Sequence, residues 1–249
     1  MSIKRVMMIA ALAAILGVPH FVTAQTAVGA TDVKAVHRVS PDAREKVRLW
    51  ADGPYWATTN IGAEKPEEYG YYFWWGDTVG YKREGDAWVA ADGSSSKFSF
   101  GPSNAPTYDK DLDTLKSEGW VVSTANTNVF ALAHDAAKVH WGGKWRMPTF
   151  QELSYLNTKC RWTWTTQNGV NGYIVRGKGG KSIFLPCAGY GFGTSLYHAG
   201  SYGYFWSSIP TAPLSDFKHA WYLFLDSKYN YTHHNGFRLS GFSVRPVQD

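Results

Sequence analysis

The histidines of the C-terminal third are the first candidates for chemistry, because imidazole is the commonest metal ligand and general base in proteins. His233 and His234 are adjacent, and adjacent side chains on an extended segment point to opposite faces, so one ion cannot easily use both. His198 and His219 stay open as further ligands of one of them. The spacing as a whole predicts neither a metal site nor a cofactor.

Nucleophilic catalysis has no support in the residue pattern either. Ser207 and Ser208 have no base at a recognisable spacing, and residues 177–180 lack the Lys-Ser or Lys-Thr ending of a phosphate-binding loop. Cys160 and Cys187 are the two cysteines, and both a disulfide between them and the burial of two free thiols stay open. We therefore expect a protein that is not an enzyme.

The segment from about residue 190 to 240 carries many aromatic side chains without a clear period. Tyrosine and histidine offer large, rigid contact area, and serine, asparagine and glycine supply adaptable hydrogen bonds, as in antibody paratopes. Alternation predicts that Leu223 and Leu225 point inward and that Tyr222 and Phe224 point outward. We predict a ligand-binding surface here, whose candidate contact residues are Tyr197, His198, Tyr202, Tyr204, Phe217, His219, Tyr222, Phe224, Asp226, Tyr229, Tyr231, His233, His234, Phe237, Leu239 and Ser240.

The elements that must position these side chains are two helices and several short strands. Residues 128–140 have apolar residues at helical spacing, and a second helix is predicted to begin at Thr149, which forms a capping box with Glu152. Strand patterns follow at residues 162–165, 172–176, 182–185, 204–207, 220–225 and 241–247. Two helices followed by short strands predict the α+β class with a largely antiparallel sheet.

The end of the chain divides into two parts. Residues 228–240 show no period, and we interpret them as an irregular surface released from core constraints. Residues 241–247 are expected to form the closing framework strand, in which Arg245 holds an internal carboxylate.

The chain has 249 residues, 44% of them hydrophobic, which suits one globular domain with a substantial core. Residues 1–24 are predicted to be a signal peptide, because Lys4 and Arg5 precede an apolar run and a small-x-small cleavage pattern. A membrane anchor is the weaker alternative, since the run is shorter than the roughly 20 residues that span a bilayer. Residues 25–46 are expected to form a linker or flexible N-terminal arm, and residues 47–249 the domain.

The product is therefore expected to be secreted or held at the cell surface, with no membrane insertion after signal removal. Its formal charge of +5 falls to +3 when Lys4 and Arg5 are removed, and the remaining basic residues are scattered among acidic ones. That charge is too small and too mixed to predict a nucleic-acid partner.

Six motifs occur in order along the domain, namely WATTNIGAEKPEEYGYYFWWGDT, WGGKWRMPTFQEL, WTWTTQNGVNGYIV, SIFLPCAGY, GYFWSS and GFSVRPV. Together they resemble the Fibrobacter succinogenes major paralogous domain family over nearly all of residues 47–249. That family is similar in fold to C-type lectins, to formylglycine-generating enzymes and to the variable proteins of diversity-generating retroelements. The resemblance implies a C-type lectin-like fold with two helices, small antiparallel sheets and a long irregular C-terminal binding segment.

Differences from these relatives narrow the expected function. The Glu-Pro-Asn and Trp-Asn-Asp strings of calcium-dependent sugar-binding lectins are absent from the sequence. Formylglycine-generating enzymes carry reactive cysteines near the end of the chain, whereas Cys160 and Cys187 precede the C-terminal segment. Each candidate contact residue is one that adenine-specific miscopying of an asparagine codon can produce, as happens in retroelement-diversified proteins.

We therefore expect an exported ligand-recognition (display) protein whose C-terminal surface binds a protein or glycan partner. Whether a retroelement diversifies that surface stays open at this point. The alternative is a fixed-sequence cell-surface structural or adhesive module, and a formylglycine-type enzyme with lost or altered chemistry is a third possibility.

Overall fold

A computed structural model describes residue 40 and residues 43–94, 98–211 and 218–249. The predicted signal peptide (residues 1–24) and most of the predicted N-terminal arm (residues 25–46) lie outside this part of the chain. The last residue of that arm, Lys46, already belongs to the first strand. No helix within the described ranges is long and apolar enough to cross a membrane.

The described chain consists of short strands with three short helices among them. The strands are β1 (Lys46–Arg48), β2 (Tyr55–Ala57), β3 (Tyr81–Glu84), β4 (Ala87–Ala90), β5 (Val121–Ser123), β6 (Asn128–Phe130), β7 (Trp145–Arg146), β8 (Cys160–Gln167), β9 (Val170–Gly177), β10 (Ser182–Pro186), β11 (Tyr190–Phe192), β12 (Ser195–Tyr197), β13 (Gly203–Pro210), β14 (His219–Leu225), β15 (Asn230–Phe237) and β16 (Val247–Gln248). The helices are α1 (Leu112–Ser117), α2 (Ala136–Trp141) and α3 (Phe150–Lys159).

The strands form several small sheets, and every pairing between them is antiparallel. One sheet has the order β1-β2-β16-β7, a second β10-β9-β8 and a third β13-β14-β15, and three two-stranded hairpins complete the set. The α+β class with small antiparallel sheets is therefore confirmed. Because β16 lies between β2 and β7, the end of the domain is held next to its beginning.

The two predicted helices had different outcomes. The helix predicted to begin at Thr149 is confirmed. The Thr149 hydroxyl accepts from the backbone N–H of Glu152, and the Glu152 carboxylate accepts from the backbone N–H of Thr149. The prediction of a single helix over residues 128–140 is wrong, because that range holds β6, a 3-10 turn and, from residue 136 on, most of the short helix α2. The backbone of Asp135 is extended, and its carboxylate caps α2 by accepting from Lys138 N–H.

The sheet β13-β14-β15 lies between two apolar cores. On one face Phe205, Leu223 and Leu225 pack into the core that contains α3 and β9. On the other face Trp206 and Tyr222 pack into the core that contains α1 and α2. Consecutive residues of β13 and β14 alternate between the cores as the period of a strand requires, so these two strands are held rigidly from both sides.

Three expectations about the end of the chain are corrected. Residues 228–240 are not irregular throughout, because Asn230–Phe237 form β15 and pair with β14. The predicted strand 241–247 reduces to isolated bridges followed by the short β16. Arg245 is fully buried, and among the described residues it pairs with no carboxylate; it donates instead to Asn60 Oδ1 and to three backbone carbonyl oxygens.

Candidate functional site

Nine aromatic side chains of the C-terminal part form one contiguous set of rings, which we call the aromatic surface. Successive rings are close enough for edge and offset contacts, from 4.6 Å between the centroids of His198 and Tyr202 to 6.5 Å between those of Tyr202 and Tyr204. The nine residues are Tyr190, Tyr197, His198, Tyr202, Tyr204, Phe224, Tyr229, Tyr231 and His234.

The hairpin β11-β12 positions the first two rings. Tyr190 and Tyr197 are cross-strand partners, and their rings stack with centroids 5.5 Å apart. Gly189 precedes the hairpin with a φ of +69°, and a Cβ there would lie 2.2 Å from the Tyr197 carbonyl oxygen. Only glycine fits this approach, so Gly189 fixes where Tyr197 lies relative to the rest of the surface.

A tight turn after β12 presents His198. Its φ is 57°, an uncommon value for a residue with a side chain, and its carbonyl oxygen accepts from the N–H groups of both Ser201 and Tyr202 at 3.0 Å. The turn holds the imidazole beside Tyr202 and 6.0 Å from the ring centre of Tyr190.

A second turn, between β14 and β15, positions the tyrosines at the other end. Oδ1 of Asp226 accepts from the backbone N–H groups of Lys228 and Tyr229, both at 2.7 Å. Tyr229 ends the turn and Tyr231 lies in β15, and their rings stack with centroids 5.2 Å apart and planes inclined by 23°. The turn therefore places two parallel phenol rings side by side.

A register shift in β15 joins the two ends of the aromatic surface. Tyr222 pairs with His234 and Phe224 with Tyr231, so one extra residue of β15 lies between these pairs. The imidazole of His234 lies 5.8 Å from Phe224 and 5.3 Å from Tyr231. Without this extra residue, Tyr231 would point to the face of the sheet opposite to that of Phe224 and His234.

The rings of the aromatic surface range from half-buried to exposed. Tyr197, Tyr229 and Tyr231 are 41%, 50% and 43% exposed, and both histidines of the set are exposed as well. Tyr190, Tyr202, Tyr204 and Phe224 are half-buried beneath them. The inner rings rest on the core, since Tyr204 lies 4.9 Å from the buried Phe242, and the outer rings are open to a ligand.

Three candidate contact residues lie beneath the surface instead of on it. Tyr222 does not point outward but into the core, 5.0 Å from Phe242, because a second core covers this face of the sheet. Leu239 and Ser240 are each 8% exposed. They follow Arg238, whose guanidinium lies over the Trp75 ring and draws the chain inward.

Two further candidates form a separate pair. The rings of His219 and Phe237 are cross-strand partners at the other end of β14 and β15, 4.0 Å apart. Phe237 is 49% exposed and contacts Tyr108. None of the ring contacts among the described residues joins this pair to the nine rings, so the structure does not bring it together with the aromatic surface.

The remaining candidates divide by whether their side chains are described. Asp226 is half-buried in the turn that carries Tyr229. Phe217 and the side chain of His233 lie outside the described part of the chain. Tyr190 belongs to the aromatic surface but was not among the candidate contact residues, because it is the last residue of the motif SIFLPCAGY. The glycines on both sides of it, Gly189 and Gly191, were the available sign of an exposed hairpin.

Burial controls the ionisation of the polar groups around the surface. It raises the pKa of Tyr222 to about 12, and burial, the neighbouring phenols and Asp226 together raise the pKa of Tyr204 further. Both phenols therefore remain neutral donors. Cys160 and Cys187 are free cysteines, and burial raises the pKa of their thiols to about 11 and about 12, which opposes formation of a thiolate nucleophile.

A groove of about 920 Å³ lies apart from the aromatic surface, between the hairpin β5-β6 and the start of α3. Its apolar wall includes Val122 and Leu132, which are 48% and 65% exposed. Its guanidinium, on Arg146, donates to both carboxylate oxygens of Glu152 and to Asp249. The carboxylate of Asp135 also lines the groove and accepts from the backbone N–H groups of Lys138 and Met147. The charged groups of the groove therefore already have partners within the protein, and what the groove offers is shape and apolar area.

No cluster of three or more metal-ligating side chains occurs among the described residues. His140 and His134, outside the C-terminal segment, have structural neighbours: the former contacts the Thr78 carbonyl oxygen and the latter packs on Trp120 at 4.0 Å.

Comparison with known proteins gives one similarity. Residues 158–247, which include every ring of the aromatic surface, match a family described as "Domain of unknown function (DUF8237)". No curated protein and no solved structure matches the chain.

Proposed function

We propose that this chain is an exported, non-enzymatic recognition protein whose aromatic surface binds a protein or glycan partner. The observation that carries the proposal is the continuity of nine rings over five strands, with the outermost tyrosines 41% to 50% exposed. Exposed, rigid aromatic rings supply contact area at a low cost in side-chain entropy, as in paratopes.

The scaffold suits this role. Two of the strands that carry the aromatic surface, β13 and β14, are packed from both sides, and their inward residues Phe205, Leu223 and Leu225 are fully buried. The exposed rings of Tyr197, Tyr229 and Tyr231 therefore have little part in holding the sheet together. Their identities can change without unfolding the domain, which a display protein requires.

A C-type lectin-like fold is part of the proposal. Three features support it: small antiparallel sheets, few and short helices, and a C-terminal strand, β16, that pairs with β2 near the start of the domain. The Fibrobacter succinogenes major paralogous domain family, which the motifs resemble, is proposed on the same basis.

Diversification by a retroelement is proposed over a fixed adhesive module, since the exposed rings of the aromatic surface are all tyrosine or histidine. Trp206, which miscopying of an asparagine codon cannot produce, is fully buried. Sequencing the neighbouring genome tests this step. A reverse transcriptase gene beside a near-copy of the 3′ end of the gene, differing at adenines, is the expected result, and a unique 3′ end would support the fixed module instead.

Binding is tested by selecting ligands from a peptide library and a glycan array on the purified protein. Ligands selected on the unaltered chain are then measured on Tyr229→Ser/Tyr231→Ser and on the matched control Phe192→Ser, whose exposed ring (44%) stands outside the aromatic surface. We expect at least a ~10-fold loss of affinity for the double variant and no change for the control. Equal binding to all three proteins would contradict the proposal.

Export has its own test. N-terminal sequencing of the protein from culture medium or from the cell surface is expected to find a chain that begins near Gln25. Recovery of the uncut chain from the cytoplasm would contradict this part of the proposal without affecting the rest.

A further inference from the structure

One carboxylate accompanies the rings of the aromatic surface. Asp226 lies in the turn that brings Tyr229 to the surface, and its Oδ1 is held by two backbone N–H groups. Its charge also acts on one half-buried ring of the surface: burial and the neighbouring phenols raise the pKa of Tyr204 most, and Asp226 adds to the rise. Aromatic faces are the negative ends of ring quadrupoles, so the rings and the carboxylate favour a cation together.

Elsewhere the protein supplies cations to its own surface rings. Arg48 lies over Tyr55 at 4.3 Å, Lys218 over Tyr108 at 4.7 Å and Lys159 over Tyr155 at 5.9 Å from the ring centres. In the part of the chain that the structure describes, no lysine or arginine lies over a ring of the aromatic surface. The exposed Lys228 is in the same turn as Asp226, but its ammonium is not over any of these rings.

We propose that the aromatic surface binds an arginine side chain presented by a protein partner, with the guanidinium stacked on the exposed tyrosines near Asp226. This inference rests on the proposed recognition function and narrows it to a partner of stated chemistry. Arginine fits better than lysine because its guanidinium is planar and weakly hydrated and stacks on aromatic faces. The parallel pair Tyr229 and Tyr231 offers such faces at 50% and 43% exposure.

The test titrates the ¹⁵N-labelled protein with N-acetyl-arginine amide and, separately, with its neutral isostere N-acetyl-citrulline amide, following amide and aromatic NMR shifts. We expect the arginine amide to shift the resonances of Tyr229, Tyr231 and their neighbours, with an affinity at least ~5-fold above that of the citrulline amide. The shifts should be confined to the aromatic surface.

Three variants separate a cation–π role from simple apolar contact. Tyr231→Phe keeps the ring and should keep the arginine preference, whereas Tyr231→Leu should reduce it about 3-fold or more. Asp226→Asn retains an oxygen to accept the turn's N–H bonds while removing the charge, and should lower arginine affinity without changing citrulline affinity. Phe192→Leu is the matched control and should change neither.

Equal affinity for the two amides, or no shift with either, would overturn the inference. The recognition function is judged separately, by the selected ligands and the Tyr229→Ser/Tyr231→Ser variant. A neutral peptide or a glycan that depends on those tyrosines would leave the recognition function standing and the arginine inference refuted.

Discussion

The guanidinium of Arg245 donates from Nε to Oδ1 of Asn60 at 2.8 Å, and both side chains are fully buried. The same guanidinium donates to the carbonyl oxygens of Ala57, Thr58 and Phe184. It thereby joins the N-terminal strand region, the sheet of β10 and the end of the chain. Burial lowers the pKa of Arg245. All four acceptors of its hydrogen bonds are neutral oxygens, whereas the sequence suggested a carboxylate.

Replacing Arg245 is expected to destabilise the whole domain. Arg245→Met leaves four buried acceptors without their donor, so the free energy of unfolding should fall by about 3 kcal/mol or more. Arg48→Met, on an exposed strand position, is the control and should cost less than about 1 kcal/mol. Urea denaturation of the two variants measures the difference. Similar costs would mean that the Arg245 network contributes little.

The core and the aromatic surface are expected to respond in opposite ways to truncation. Trp145 is 1% exposed, so Trp145→Ala should lower the free energy of unfolding by about 3–5 kcal/mol. Tyr231 is 43% exposed, and Tyr231→Ala should leave thermal stability nearly unchanged. Calorimetry of both variants provides the measurement. A large loss from Tyr231→Ala would show that the ring is structural and would weaken the proposed function.

Gly189→Ala should disturb the surface through the backbone. A Cβ would meet the Tyr197 carbonyl oxygen, so the free energy of unfolding should fall by about 1–3 kcal/mol. Gly193→Ala is the matched control, because its φ is +55° but no atom lies within 4 Å of the added Cβ. The excess cost at Gly189 over Gly193 measures the close approach by itself, and no excess would contradict its role.

The capping box of α3 should contribute measurably to stability. Thr149→Ala removes the acceptor for Glu152 N–H and should cost about 1 kcal/mol in chemical denaturation. Thr158→Ala is the control. Thr158 lies in α3, and its hydroxyl donates only one long hydrogen bond, of 3.4 Å, to the Tyr155 carbonyl oxygen. The control should be nearly neutral; equal losses would count against the cap.

Stability should fall at alkaline pH, partly through Tyr222. Burial raises its pKa from 10.0 to about 12, so the folded state holds this proton more tightly than the unfolded state. The contribution is fully present below pH 10 and is lost as the pH rises from 10 to 12, at up to about 1.4 kcal/mol per pH unit. Tyr222→Phe should flatten the decline in unfolding free energy between pH 9 and 11. Tyr197→Phe, at an exposed ring, is the control; an equal flattening there would refute the assignment.

Much of the architecture could be read from local patterns. The α+β class, the capping box and the strands around residues 162–185 and 203–225 depend on neighbouring residues, and the structure has them where the sequence predicts them. The prediction of one helix over residues 128–140 is wrong because Asp135 is the N-cap of α2, so that a new helix begins there. The apolar spacing had suggested a helix that continues through this residue.

The sequence by itself determined that the C-terminal part is aromatic and polar, since composition and turn residues are local properties. Only the tertiary structure decided which rings are exposed. Tyr222 and Tyr231 are both tyrosines of the same sheet, yet a second core covers the former and the register shift in β15 turns the latter outward. The exposure of a side chain depends on packing between segments that are far apart in sequence. No pattern within residues 190–240 indicates that packing.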